Sequence, residues 1–153
     1  MIHRKSCIVA CLSGLLAAAA VMFAAERPED AAQTAAESWL KLVDGGNYAA
    51  SWQQAAKGLK SAVKETEWNQ TAGGVRAPLG KVVSRKLKSR EYRDKMTTTT
   101  RVIGGRVYTW GGAGQYVIIV FDTAFARKAL AVEDLILVKD TDGVWRVSGY
   151  FVR

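Results

Sequence analysis

The chain has little cysteine and histidine, and all of it lies at one end. Its two cysteines and single histidine, Cys7, Cys11 and His3, fall within the first eleven residues. The rest of the sequence therefore has no thiol and no imidazole, which excludes most nucleophilic and transition-metal chemistry from it. Acid–base chemistry there would fall to carboxylates, lysines or tyrosines. We expect neither a metal site nor a cofactor.

The amino-terminal segment resembles an export signal. His3, Arg4 and Lys5 give it a positive start, and residues 7–25 then carry no charge at all before the acidic side chains that begin at Glu26. This order is typical of a secretory signal peptide, which is removed after export. The pattern predicts a signal peptide over residues 1–25, a single domain over residues 26–153, and a location outside the cytoplasm.

Two other interpretations of this segment stay open. The uncharged run has 19 residues, close to the ~20 that span a bilayer, so an uncleaved membrane anchor is an alternative. The sequence Ile8-Val9-Ala10-Cys11 also resembles a lipidation motif, although almost no apolar run precedes it. All three interpretations place the domain outside the cytoplasm, and membrane contact is expected only through this segment if it is not cleaved.

Positive charge is concentrated in one stretch. The chain has a formal net charge of +8, and residues 76–106 hold ten basic side chains against Glu91 and Asp94. Such a concentration attracts anions, which favours a small anionic ligand or an anionic lipid or polymer of the cell envelope. Nucleic acid is the least favoured partner because no recognition motif is present. The simplest alternative is a solvated strand whose lysines protect an exposed sheet edge.

Hydrophobic spacing predicts helices in the first half of the domain. From Asp30, as N-cap, to Val43, apolar residues recur every three or four positions, which indicates an amphipathic helix. Asn47 is predicted to cap a second helix that Gly58 closes, and a third helix is predicted to start at Thr66 and to stop at Pro78.

Strand periodicity replaces helical periodicity from Lys81 onward. Strands are predicted over residues 81–89, 115–123, 129–139 and 144–152, and a hairpin over 97–110 around a Gly-Gly pair. Residues 111–114 are expected to form a flexible joint. The unbroken apolar run at residues 116–121 indicates a strand covered on both faces. Helices followed by antiparallel strands indicate an α+β domain, with the helices packed on the concave face of a curved sheet.

Several motifs together resemble a known family of bacterial exported proteins, domain of unknown function 4019. The matching segments lie at residues 39–40, 44–48, 51–52, 68, 76–80, 84–85, 121–126 and 143–150. The resemblance covers nearly all of residues 26–153 and implies a periplasmic or cell-envelope protein of a bacterium; it implies no activity. The order of elements is also similar to the cone-like nuclear transport factor two-like folds, which host both enzymes and binding modules. The segment 96–114 is longer than the short turn expected there.

Two carboxylates are candidates for a catalytic base. Asp122 and Glu133 would point into the hollow of a cone-like sheet, where burial among aromatic side chains raises a carboxyl pKa. Structural roles are the alternative, because Asp122 can bond nearby backbone amides and Glu133 can pair with Arg85 or Arg127. No calcium site is expected at residues 140–143, because the third aspartate and the downstream glutamate of a calcium loop are missing.

Six residues are candidates for ligand binding. Arg76 has the geometry to clamp a carboxylate, of a ligand or of Asp122 or Glu133. An aromatic pair on the hairpin could stack on a ligand or, alternatively, cover the sheet. The full set is Arg76, Arg85, Arg101, Arg106, Tyr108 and Trp110.

The function that these observations favour is binding without catalysis. We expect an exported α+β domain that holds a small or polymeric anionic partner in the hollow or on the basic strand. A cone-fold enzyme that uses Asp122 or Glu133 is the first alternative, and a homodimeric assembly module, joined through an open sheet face, is the second.

Overall fold

Four helices precede four strands in the computed structural model, which describes residues 26–103 and 106–153, with the side chains of Thr99 and of residues 101–110 left out. The helices are α1 (Pro28–Asp44), α2 (Tyr48–Gln53), α3 (Lys57–Ala62) and α4 (Glu65–Arg76). The strands are β1 (Val82–Ile103), β2 (Arg106–Phe125), β3 (Lys128–Lys139) and β4 (Trp145–Val152). They form one antiparallel sheet in the order β1-β2-β3-β4. The predicted α+β class is therefore confirmed.

The helix boundaries follow the predicted pattern with two main differences. Asn47 caps α2 as predicted, its side-chain oxygen accepting a hydrogen bond from the Ala50 amide. The predicted cap of α1 was wrong, because that helix starts at Pro28 with Arg27 as the N-cap residue. Gly58 does not close α2, which ends at Gln53; it lies inside the separate helix α3. The third predicted helix is α4, and Arg76 is its last residue.

Indole groups fix the helices to one another. Trp39 and Trp68 both bond to Ser51, the first to its carbonyl oxygen at 2.7 Å and the second to its hydroxyl at 2.9 Å. Trp52 donates to the Val63 carbonyl at 2.8 Å. Buried indole N–H groups need such partners, so these bonds let aromatic rings fill the core without a desolvation penalty.

The core lies between the helices and one face of the sheet. Alternate residues of β2 and β3, such as Val117, Ile119 and Leu135, are fully buried against α1. Their neighbours Ile118 and Val120 are only half-buried. The expectation that this strand is covered on both faces was therefore wrong: it is tightly covered on the helix side alone.

β1 and β2 form a long two-stranded arm, in which residues 111–114 are not the flexible joint that the sequence predicted. β1 and β2 pair along their whole length, whereas β3 pairs with β2 only from Tyr116 onward. Residues 111–114 belong to β2 rather than to a joint between strands. Gly111 has a φ of 108°, and a Cβ there would lie 2.6 Å from the Thr97 carbonyl oxygen. Only glycine fits that position, and the pairing of β1 with β2 continues past it through a register shift between Met96 and Thr99.

Candidate functional site

A buried carboxylate lies at the centre of the polar contacts between helices and sheet. Glu133, on β3, is fully buried on the helix side. Its Oε2 accepts hydrogen bonds from Arg85 Nε and from Thr123 Oγ1, both at 2.6 Å. Its Oε1 accepts from Tyr150 OH at 2.6 Å and from Arg85 Nη2 at 3.1 Å. Four donors from three strands therefore converge on this one side chain.

A second carboxylate joins the two arginines of this cluster. Asp44, the last residue of α1, accepts two hydrogen bonds from Arg85, at 2.7 and 2.9 Å. It also accepts one from Arg76 Nη2 at 2.7 Å. The ends of α1 and α4 are thus tied to β1 through a single carboxylate. Two arginines and two carboxylates balance in formal charge, as burial of ionic groups requires.

Arg76 is the least satisfied member of the cluster. Arg76 is 5% exposed, and its guanidinium lies over the Phe125 ring, 4.4 Å from the ring centroid. Nη1 lies 3.6 Å from Glu133 Oε1, an ion pair too long to be a hydrogen bond. Among the described residues, neither Nε nor Nη1 has a hydrogen-bond partner. The stacking on Phe125 and the bond to Asp44 hold this side chain in place.

These contacts keep Glu133 ionised. Burial alone would raise the pKa of Glu133, but hydrogen bonds from Arg85, Thr123 and Tyr150 outweigh it and hold the pKa below its ordinary value. Burial, followed by the charge of Glu133, raises the pKa of the Tyr150 phenol far above its usual range. Burial lowers the pKa of Arg85, but the bonds to Asp44 and Glu133 outweigh this and raise it.

The contacts of this cluster are those of a structural ion network. Its six members are Asp44, Arg76, Arg85, Thr123, Glu133 and Tyr150. A general base needs a pKa near the working pH and a lone pair within reach of a substrate proton. Glu133 has a lowered pKa, no exposed surface and both oxygens occupied. The geometry therefore supports a role in holding α1, α4 and the sheet together.

The other candidate base, Asp122, lies in different surroundings. It is on β2, directly opposite Lys86 of β1, and its side chain is about half exposed. Its carboxylate pairs with Lys88 at 3.0 Å. Asp122 and Arg76 are not brought together, so the internal partners of Arg76 are Asp44 and, at longer range, Glu133.

The hairpin candidates lie along the distal part of the arm. In the backbone register Arg101 pairs with Tyr108, Thr99 with Trp110, and Arg106 with Ile103. The side chains of Arg101, Arg106, Tyr108 and Trp110 fall outside the described residues. Because Arg101 lies opposite Tyr108 in this register, a ligand surface shared by the two strands of the arm stays a prediction.

The turn at residues 140–143 is held by an arginine. Arg146 donates to both oxygens of Asp142, at 2.7 and 2.8 Å, and to Asp140 at 3.2 Å. The bond from Arg146, followed by one from the Val144 amide, holds the pKa of Asp142 well below its usual range. Over the part of the chain that the structure describes, no three acidic, histidine or cysteine side chains are grouped to hold a metal ion.

An apolar groove runs beside the last strand. It has a volume of about 220 Å³ between α3, α4 and β4, and its walls include Leu59, Trp68, Val75, Tyr150 and Val152. Tyr150 thus contacts the groove with its ring and Glu133 with its hydroxyl. None of the described residues that line the groove is a carboxylate, so their surface is mainly apolar and offers no acid–base pair.

Three members of the ion network lie in the segments that resemble the family but were not named as candidate site residues: Asp44, Thr123 and Tyr150. Strand alternation was the available signal for Thr123 and Tyr150, since it places them on the same face as Glu133. Nothing in the sequence pairs Asp44 with Arg85, 41 residues away, because that contact depends on how α1 crosses the sheet.

None of the helices α1 to α4 is long and apolar enough to cross a membrane. Comparison with curated proteins gives no match, and comparison with solved structures gives none either. A family model described as "Protein of unknown function (DUF4019)" matches residues 35–150. That match spans α1 to β4 and includes all six members of the ion network. The chain therefore belongs to the DUF4019 family of proteins of unknown function.

Proposed function

We propose that this protein is an exported, non-catalytic domain that binds an anionic partner along β1. Both candidate bases are engaged by cations: Glu133 lies inside the ion network, and Asp122 pairs with Lys88 on the surface. A base is favoured by a cleft and a raised pKa, whereas the pKa of Glu133 is lowered and Asp122 lies on the exposed face beside Lys88. Binding is the function class that remains best supported.

The observation that carries this proposal is the uneven pairing of the cations at β1. Four of them have carboxylate partners: Arg85, Lys88, Arg90 and Arg93. Lys81, Lys86 and Lys95 are exposed and, within the described residues, have no carboxylate within 4.0 Å. Unpaired surface lysines leave a positive potential that attracts anions. The hairpin arginines Arg101 and Arg106 extend the same strand pair.

A salt-dependent binding experiment tests this proposal. The full-length chain is titrated with inorganic phosphate and, separately, with polyphosphate, at low and high ionic strength. Polyphosphate binding should weaken steeply as salt rises, because interactions of exposed charges are screened within about 10 Å at 0.1 M. Phosphate binding of equal strength would instead indicate a small-anion site.

Matched variants locate the surface. The triple variant Lys81→Gln, Lys86→Gln and Lys95→Gln should lose most of the polyphosphate affinity. The control triple, Lys41→Gln, Lys64→Gln and Lys139→Gln, removes the same charge from exposed positions outside β1 and should lose much less. Equal losses in the two triples would reduce the effect to net charge and would count against a β1 site.

The export part of the proposal rests on residues 1–25 and has its own test. Cell fractionation and amino-terminal sequencing should find a chain shortened by about 25 residues outside the cytoplasm. An intact chain in the membrane fraction would indicate an anchor, and loss of that association in Cys11→Ser would indicate lipidation. An intact chain in the cytosol would contradict export.

Homodimerisation through the open sheet face is a second candidate. Ile118, Val120, Ile136 and Val138 lie on the side of the sheet away from the core and are half-buried. Together they present a row of apolar side chains, a common feature of protein interfaces. Sedimentation should show a dimer that Val120→Lys and Ile136→Lys dissociate; a monomer at high concentration would remove this candidate.

A further inference from the structure

A crevice beside the start of β4 differs in chemistry from the apolar groove beside the end of that strand. It lies where α1, the end of α2 and the start of β4 meet, and it has a volume of about 360 Å³. This volume falls within the range of about 300–1,000 Å³ that is typical of small-molecule sites. Its lining mixes apolar and polar residues: Ala35, Ser38, Trp39, Gln53, Gln54, Val144, Trp145, Arg146 and Val147.

The indole of Trp145 is the exception among the described tryptophans. Trp39, Trp52 and Trp68 each donate their N–H to a protein oxygen. Trp145 is only 8% exposed and lines the crevice, yet its N–H makes no hydrogen bond to any described residue. The nitrogen is not among the fully buried atoms that lack a partner, so this donor is reached by solvent and is available to an acceptor in the crevice.

The remaining polar side chains of the crevice are neutral and also available. Ser38 offers a hydroxyl, and Gln53 and Gln54 each offer a carboxamide that both donates and accepts. All three residues are exposed, and within the described chain their side chains make no hydrogen bond. The crevice therefore combines an indole, a hydroxyl and two amides without an internal network that occupies them.

The described residues put no free charge in the lining of the crevice. Among them Arg146 is the one ionisable lining residue, and Asp140 and Asp142 already hold the guanidinium. In the backbone register Arg146 lies opposite Val138, and strand alternation places Arg146 on the other face of the sheet from Trp145 and Val147. An anion would find no free cation in the crevice, and a cation would find no free carboxylate. The lining therefore favours an uncharged ligand.

We propose that this crevice is a binding site for a small neutral saccharide. Sugar hydroxyls both donate and accept hydrogen bonds, as do the groups of Ser38, Gln53 and Gln54. The indole N–H of Trp145 donates to a sugar oxygen, and Val144 offers apolar contact to the carbon skeleton. This site is separate from β1, so it stands independently of the anion-binding proposal.

NMR of the full-length chain tests this site directly. Indole N–H resonances are followed as N-acetylglucosamine or glucose is added to about 10 mM, well above a dissociation constant of ~1 mM. The Trp145 resonance, identified by its loss in Trp145→Phe, should shift and saturate with at least one of these sugars, and the shift should not depend on salt. A Trp145 resonance that moves with neither sugar would overturn the proposal.

Exposed glutamines provide variants that fold. Gln53→Ala and Gln54→Ala should each weaken sugar binding about fivefold, as the loss of one hydrogen bond implies. Gln70→Ala, at an exposed glutamine on α4, should leave affinity unchanged. Equal affinity in all three variants would contradict a site in this crevice, even if a sugar binds elsewhere. Binding in Gln53→Ala and Gln54→Ala can be followed by titration calorimetry, so this second test does not depend on Trp145→Phe folding.

Discussion

Asp122 and Glu133 lie on neighbouring strands, and the two faces of one sheet give them different environments. Glu133 faces the helices, where four hydrogen bonds and complete burial fix it as an anion. Asp122 faces away from the helices, about half exposed, with a single lysine partner. Buried ion pairs are costly to break, whereas exposed pairs contribute little. The comparison teaches that the face of the strand, rather than the residue type, decides what a carboxylate contributes here.

Removal of the buried charge should have the largest effect. Glu133→Gln leaves Arg76 and Arg85 with Asp44 as their only carboxylate, so the uncompensated buried charge should lower the free energy of unfolding by about 3–5 kcal/mol. Chemical denaturation measures this loss. The control Asp122→Asn should change stability by less than about 1 kcal/mol. Equal losses of unfolding free energy in the two variants would contradict the difference between the two faces of the sheet.

Acid should weaken the fold through the same residue. The pKa of Glu133 is lowered in the folded state, so its contribution is complete above the ordinary glutamate pKa of about 4.3 and is lost as pH falls through the lower folded value. Denaturation series between neutral pH and the acid limit measure this slope. Glu133→Gln should be less sensitive to acid than the wild type in that window. An unchanged slope would show that Glu133 does not contribute to it.

Loss of one donor should cost less than loss of the carboxylate. Thr123→Val keeps the shape of the buried side chain but removes its 2.6 Å hydrogen bond to Glu133. Hydrogen bonds to charged groups contribute about 1.5–3 kcal/mol, and unfolding free energies should fall by that amount. Thr66→Val, on the exposed face of α4, is the control and should stay within about 0.5 kcal/mol. A loss no larger than the control's would mean that the hydrogen bonds from Arg85 and Tyr150 stabilise the Glu133 carboxylate without Thr123.

The exposed pair should show the smallest effect. A double-mutant cycle with Lys88→Ala and Asp122→Ala should give a coupling energy of about 0–1 kcal/mol that decreases with added salt. Unfolding in urea at low and high salt measures both quantities. A coupling above about 2 kcal/mol would place Asp122 in a less solvated environment than its exposure indicates.

Much of the fold was predictable because local patterns determine it. The apolar spacing from Ala32 to Val43 and the alternation in β3 identify a helix and a strand whichever partners they pack against. Gly58 and Gly111 were misjudged because glycine permits several conformations. At Gly111 the close approach of Thr97, a contact across strands, requires glycine within a continuous strand. Such contacts are not visible in the local sequence.

The site was only partly predictable. Glu133 was identified as a candidate base, and Arg85 or Arg127 was named as its possible ion-pair partner. The sequence could not choose between a base and an ion pair, since that choice depends on the position of Arg85, Thr123 and Tyr150 around one carboxylate. Asp44 and the crevice beside Trp145 depend on how α1 and α2 pack against β4, which no local pattern specifies.

The most direct test of the account is an NMR titration of the Glu133 carboxyl group in the full-length chain. If the carboxylate is a fixed member of the ion network, its carbon resonance should remain that of the ionised form until the pH is below the ordinary glutamate value, about 4.3, because its pKa is lowered. A resonance that titrates above that value would contradict the structural role and would restore Glu133 as a candidate base.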